Sequence, residues 1–421
     1  MTVIGILFFM FGFVTWLNGS LIPFLQIACE LNHSEAFLVT FAFYISYTVM
    51  AFPMSRILKY SGYKDGMVLG LGIMLVGALL FVPAALTREY SIFLLALFVL
   101  GAGLTLLQTA SNPYIVMIGP AESAAVRISI MGILNKAAGV VAPLIFTVLV
   151  FQGMSEFTEE HLATLTAAER MAQLSELSMR LITPYIYMAA GLLGLALFVK
   201  FSPLKEPEFE VETHESPSAS VMHRPQLVLG AITLFFYVGV EVIAGDTIGL
   251  FGNAMGVQNF GALTAYTMTF MVLGYLLGMM LIPRWISQSR ALALSAIFGL
   301  VCVFSLLFSD PTSSSLWDGL FSWSGAGSIP NPVLFVALFG LANALVWPAV
   351  WPLALQGLSP SQISSGSALL IMGIAGGAIF PLIYGVLADS NGGPQTAYWI
   401  VIPCYLFILF YALKGHRLRS W

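Results

Sequence analysis

Twelve times along this chain an apolar run recurs that is long enough, at about 20 residues, to cross a bilayer as an α-helix. The runs fall at 2–26, 35–58, 66–86, 91–118, 128–151, 181–202, 226–252, 260–283, 291–309, 333–357, 363–388 and 395–414. The first continues from Met1 past Pro23 without a basic leader or a small-residue cleavage site, so it reads as a spanning helix and not a signal peptide. The last three are kept apart by Ser359-Pro360 and Asn391-Gly392-Gly393-Pro394 acting as breaks. Composition agrees. Only 9% of the 421 residues are charged, against about 25% in a soluble domain, so the outer surface must face lipid. The pattern predicts an all-α membrane protein.

Lys and Arg give the orientation, because they collect on the cytoplasmic side. With the N-terminus inside, that side receives Arg56, Lys59, Lys64, Arg127, Lys200, Lys205, Arg224, Arg284, Arg290, Lys414, Arg417 and Arg419. The outer side receives Arg88, Arg170 and Arg180. Both termini are therefore expected in the cytoplasm. Two segments are polar enough to be loops. Residues 152–180 carry Glu156, Glu159, Glu160, Glu169 and Glu176 and read as an outer loop with a short surface helix. Residues 203–224, broken by Pro203, Pro207 and Pro217, read as a cytoplasmic linker. It separates a six-helix bundle at 1–202 from a second at 225–421.

The halves are related. Phe8, Phe9 and Gly12 match Phe235, Phe236 and Gly239 at an offset of 227, and Tyr47 and Arg56 match Tyr275 and Arg284 at 228. Leu97, Phe98, Val99, Gly103 and Leu104 match Leu334, Phe335, Val336, Gly340 and Leu341 at 237. Gly139, Pro143, Leu144 and Ile145 match Gly377, Pro381, Leu382 and Ile383 at 238. A duplicated six-plus-six architecture is used by transporters, with substrate held near the midplane and exposed to either side by rocking of the halves. No G-x-x-x-x-G-K-[ST] phosphate loop occurs, so the expected energy source is an ion gradient or the substrate's own. An enzyme is not expected, because His33, His161, His214, His223 and His416 all fall in loops or termini. Cys29, Cys302 and Cys404 are far apart and read as small core residues. The net charge of −4, without a basic run, leaves no footprint for nucleic acid. A receptor or channel would need a pore or a signalling domain beyond the loops.

Polar groups at membrane depth are costly and usually face the protein interior. The fourth run holds Gln108, Thr109, Ser111 and Asn112, and Gln108 and Asn112, four apart, share a face. Asn18 lies in the first run and Asn135 in the fifth. The tenth offers Asn343, Trp347 and Trp351, each tryptophan followed by proline. Amides bind hydroxyls and indole rings stack on sugar-ring faces, so these residues are candidates for a neutral, hydroxyl-rich substrate. The alternatives are helix–helix glue for the amides and an interfacial belt for the tryptophans. An exporter of apolar drugs would want a less amide-rich cavity.

Glu241 and Asp246 are the acids placed within spans, both in the seventh run. A carboxylate at depth costs about 2.5–3.5 kcal/mol and calls for a proton, a cation or a basic partner. Gly239, Gly245, Gly249 and Gly252 weaken that helix, and unwound carbonyls beside Glu241 and Asp246 could hold Na⁺. Asp246, nearer the outer mouth, reads equally as a solvated helix end. Lys136, the basic residue at depth, pairs with one of the acids or snorkels to the cytoplasm.

The stretches FFMFGFVTWLNGSLIPFL (8–25), LLQTASNPY (106–114) and FFYVGVEV (235–242), with the Gly62-Tyr63-Lys64 turn, resemble the fucose/glucose–galactose symporter group of the major facilitator superfamily. The likeness covers essentially the whole chain. It implies the major facilitator fold, sugar transport across a bacterial inner membrane, and a cavity to which Asn18, Gln108, Asn112 and Asn135 contribute. Fucose–proton members have acids where this chain has Gly19 and Gln108, neither of which can carry a proton. The coupling charge is therefore expected to have moved to Glu241 and Asp246, with Lys136 as a third coupling candidate. The glucose/galactose branch is the better likeness and includes sodium-driven members. The expectation is a monomer in the bilayer that binds a monosaccharide and co-transports Na⁺ or H⁺, Na⁺ favoured, without other cofactors.

Overall fold

The computed structural model of the chain describes all of it except residues 118–123, 152–156, 158–163, 205–221, 283–284, 322, 324–326, 359–365, 367–368 and 391. Among the described residues there is no strand, and twelve helices are long and apolar enough to cross a membrane. The chain divides into two compact units, Met1–Glu208 and Phe209–Trp421. Most of the expected linker lies outside the described residues, as do the break at Ser359-Pro360, Asn391, Arg284 and the acids Glu156, Glu159 and Glu160.

The first unit holds α1 (Thr2–Ala28), α2 (His33–Ala51), α3 (Tyr60–Thr87), α4 (Tyr90–Met117), α5 (Ala124–Val150) and α6 (Ile182–Phe201). α1 is interrupted at Leu17, between helical stretches Thr2–Trp16 and Asn18–Ala28. There the Ser20 N–H bonds to the Leu17 carbonyl at 3.0 Å, a tighter turn than the α-helical one. Gly62, between α2 and α3, has φ 74° and ψ 178°, a conformation that is essentially glycine's alone. The turn it makes puts Lys64 Nζ 2.8 Å from the carbonyl oxygen of Ser202 at the end of α6. The expected surface helix is Ala167–Met179, opened by a capping box between Thr166 and Glu169.

The second unit holds α7 (Pro225–Ala254), α8 (Phe260–Leu281), α9 (Gln288–Phe308), α10 (Asn331–Leu355), α11 (Leu369–Ala388) and α12 (Gly393–Arg417). α10 is broken between Asn343 and Val346, where Pro348 leaves the Ala344 carbonyl without its usual donor. Before it, the short helix Ser315–Phe321 buries Trp317 edge-on against Tyr266 at 5.2 Å. The sequence reading did not foresee that helix.

Close helix crossings are built on glycine in both units. A Cβ on Gly12 would stand 1.9 Å from the carbonyl oxygen of Asn135, and one on Gly376 would stand 1.8 Å from that of Phe235. These contacts join α1 to α5 and α7 to α11, which are the repeat-related pairs. Meanwhile Val76, Leu95, Val148, Phe201, Leu294, Val301 and Phe308 are exposed. Large apolar side chains turned outward along spanning helices are what lipid contact requires. The chain is a multi-pass membrane protein.

Candidate substrate and coupling sites

In the first unit, the residues around the α1 interruption reach two neighbours. On one side Thr15 lies near the Tyr47 hydroxyl of α2, which accepts a hydrogen bond from Gln108 Nε2 of α4 at 3.1 Å. On the other side Trp16 Nε1 donates to Asn135 Oδ1 of α5 at 3.4 Å. Asn135 Nδ2 donates in turn to the Phe8 carbonyl at 3.4 Å. Asn18, one residue past the interruption, is buried, and its Nδ2 has no hydrogen-bond partner among the described residues.

The four amides differ in what remains for a ligand. Gln108 is half-buried, with its carbonyl oxygen turned to no described donor; Asn112, one turn further on, is exposed. Thr109, by contrast, spends its hydroxyl on the Thr105 carbonyl at 2.7 Å. Asn135 is partly committed as glue between α1 and α5. Lys136 corrects one expectation. It does not snorkel to the cytoplasm but is buried, with Nζ 4.3 Å from the centroid of the Trp16 ring, within cation–π range.

In the second unit, the expected unwinding of the seventh helix is not found, and α7 is helical from Pro225 to Ala254 without a break. Its glycines serve close packing instead. Thr264 and Thr267 of α8 donate to the carbonyls of Gly245 and Ala244 at 2.8 and 3.1 Å. Asp246 is not a solvated helix end, being wholly buried. Glu241 and Asp246 are five residues apart, so they point about 140° apart around the helix. They therefore do not converge on one ion as the paired Na⁺ ligands the sequence suggested.

Glu241 is buried near two phenols. Tyr237, one turn earlier on α7, and Tyr275 of α8 both lie within electrostatic reach of it. Trp347 and Trp351 on α10 stand with ring centroids 5.6 Å apart and planes at 50°. Trp347 also packs at a tilt against Tyr237, with centroids 6.2 Å apart and planes at 46°, and that tyrosine is buried in the bundle. Trp347 is thereby tied to the bundle interior. Trp351 Nε1 is buried without an acceptor among the described residues. Asn343 is wholly buried and accepts from the Tyr405 hydroxyl at 3.0 Å. Its Oδ1 thus joins α10 to α12, while its Nδ2 is buried with no partner among the described residues. Among the described residues no group of three or more His, Cys, Asp and Glu could hold a metal.

Trp16, Tyr47, Tyr237 and Tyr275 were not singled out as site residues from the sequence. One signal was present: Tyr47 and Tyr275 are a repeat match, and each lies near the polar residue at depth in its own unit.

The model of the Major Facilitator Superfamily matches residues 4–374. The chain belongs to that superfamily. It is 33% identical to a glucose/galactose transporter of Brucella abortus, over 99% of this chain and 94% of that one. It is 27% identical to the L-fucose-proton symporter of Escherichia coli, over 98% and 91%. A crystal structure of the Escherichia coli fucose:proton symporter superposes with a TM-score of 0.70 at 24% identity, covering 98% of this chain and 97% of that one. The major facilitator fold expected from the sequence is thus shown, and this superfamily member is a membrane transporter, not an enzyme.

Proposed function

We propose that the chain is a cation-coupled symporter of a hexose such as glucose or galactose, working by alternating access. The observation that carries this reading is a division of labour. The first unit gathers Asn18, Gln108, Asn112 and Asn135 at membrane depth without a carboxylate among them. The second unit holds the buried carboxylate Glu241 beside an aromatic pair. Neutral amides suit hydroxyls, which both donate and accept. The full-length similarity to a glucose/galactose transporter supports the same substrate class. In the first unit Gln108, Asn112, Asn18 and Asn135 are the proposed sugar-binding amides, and in the second unit Trp347 and Trp351 are the proposed stacking rings.

Glu241 carries the coupling charge in this reading, with Asp246 held in reserve on another face of α7 and Lys136 a buried cation of the first unit. Sodium is the favoured ion, since Gly19 and Gln108 cannot bind and release a proton. A fucose-like proton symport is the second reading, favoured by the similarity to the L-fucose-proton symporter. Per 100 mV of membrane potential, one co-transported charge contributes about 2.3 kcal/mol. The proposed setting is a bacterial inner membrane, as a monomer with both termini in the cytoplasm.

Purified protein in liposomes tests the proposal. An inward Na⁺ gradient should accumulate labelled glucose or galactose; accumulation driven only by an acid-outside step would replace Na⁺ with H⁺. Glu241→Gln should abolish accumulation, and unchanged concentrative uptake in that variant would remove Glu241 from the coupling.

A further inference from the structure

Under the reading above, sugar and cation engage different side chains on different helices, so something must make the occupancy of one felt by the other. We infer that Tyr237 is the positioning residue that links the aromatic sugar platform of α10 to the Glu241 carboxylate. The inference rests on the assignment of coupling to Glu241 and adds the group through which sugar acts on it.

The geometry carries it. Tyr237 and Glu241 are four apart on an unbroken helix and share a face, which brings the phenol within electrostatic reach of the carboxylate. The other end of the same side chain, its ring, lies 6.2 Å from Trp347 with planes at 46°. Trp347 in turn touches Trp351, whose indole N–H is buried with no acceptor among the described residues. A buried donor left without a partner is costly, and a sugar hydroxyl would satisfy this one. Sugar stacking therefore fixes the tilt of the tryptophans, and Trp347 fixes the ring of Tyr237.

Tyr237 is 1% exposed, so its ring cannot reorient independently of its neighbours. Its hydroxyl, moreover, can serve either state of the carboxylate. It donates to a free carboxylate, and it offers a lone pair to a cation held there. Tyr275 of α8 lies within electrostatic reach of Glu241 but, among the described ring contacts, stacks on neither tryptophan. It supports the carboxylate without connecting it to the platform.

The test is linkage. If sugar and cation are coupled, bound sugar lowers the half-saturating cation concentration, and the reciprocal holds for binding. Wild-type protein in liposomes would be assayed with labelled galactose, titrating whichever of Na⁺ or H⁺ drives its uptake, with and without saturating sugar. Tyr237→Phe keeps the ring and removes the hydroxyl. It should cut the gradient-driven accumulation ratio about tenfold or more while sugar exchange persists, and should abolish the sugar-induced shift. Trp347→Leu should abolish the shift as well, and it carries the test if Tyr237→Phe is not monodisperse. Tyr275→Phe should raise the half-saturating cation concentration yet retain the shift.

A sugar-induced shift of wild-type size in both Tyr237→Phe and Trp347→Leu would overturn the inference. Concentrative uptake retained in Glu241→Gln, or no cation drive in the wild type, would instead overturn the coupling reading and the inference with it. Loss in Glu241→Gln with the shift intact in both Tyr237→Phe and Trp347→Leu would sink the inference alone.

Discussion

Each unit places a repeat-related tyrosine against a polar side chain at membrane depth, and the partner differs in kind. In the first unit Tyr47 accepts from the neutral amide Gln108 at 3.1 Å. In the second Tyr275 lies within electrostatic reach of the carboxylate Glu241. The packing beneath is alike, since glycine-mediated crossings join α1 to α5 and α7 to α11. Duplication has therefore kept the devices that hold a bundle together while letting the chemistry at depth diverge. The first helices diverge as well. Leu17, where α1 is interrupted, corresponds at the repeat offset of 227 to Ala244, and α7 is unbroken there. One half has an interrupted helix ringed by amides; the other has a regular helix carrying acids.

The sharpest way to break this comparison is to attack the shared packing. Gly12→Val and Gly376→Val should both prevent recovery of monodisperse protein in detergent, because the added atoms meet backbone that cannot yield. Gly194→Val in α6, where nothing lies within 4 Å of the new Cβ, should behave as wild type in size-exclusion chromatography. Survival of only one of the two glycine variants would show that the crossings are not equivalent.

Next in size is the chemical divergence. Gln108→Leu should raise the sugar KM about tenfold, corresponding to about 1.4 kcal/mol of lost hydrogen bonding, while uptake stays cation-dependent. Glu241→Gln should do the reverse, which makes crossed effects in uptake assays the diagnostic. Tyr405→Phe removes the donor to the buried Asn343 carbonyl. It should cost about 1–3 kcal/mol, read as a lower thermal-unfolding midpoint with the sugar KM unaltered. The smallest effect is expected at the exposed Lys200–Asp65 pair, 2.9 Å apart. Lys200→Ala should lose less than about 1 kcal/mol by the same thermal assay.

Much of the fold was legible because the lipid solvent dictates it: spanning length fixes where helices lie, and the creeping repeat offsets exposed the duplication. The site was legible only in type. Amides and acids at depth announce themselves by their cost, so Asn18, Gln108, Asn112, Asn135, Glu241 and Asp246 could be picked out. What each one touches could not. Asn343 and Gln108 look alike in a hydropathy trace, yet Asn343 is wholly buried with its Oδ1 taken by Tyr405 while Gln108 remains half-buried beside Tyr47. Lys136 looked free to snorkel, and the indole of Trp16 holds it. The glycines of α7 looked like weak points and proved to be contact points for α8 and α11.

The amino-acid sequence by itself determined that this chain lives in a bilayer, in two related sets of helices, with its few polar groups at depth. That follows from transfer energies, which belong to each residue wherever it packs. Only the tertiary structure decided which of those groups are consumed by neighbours and which remain for a ligand. Hydrogen bonds and ring contacts depend on the rotation of one helix against the next, and no property of a single helix fixes that rotation.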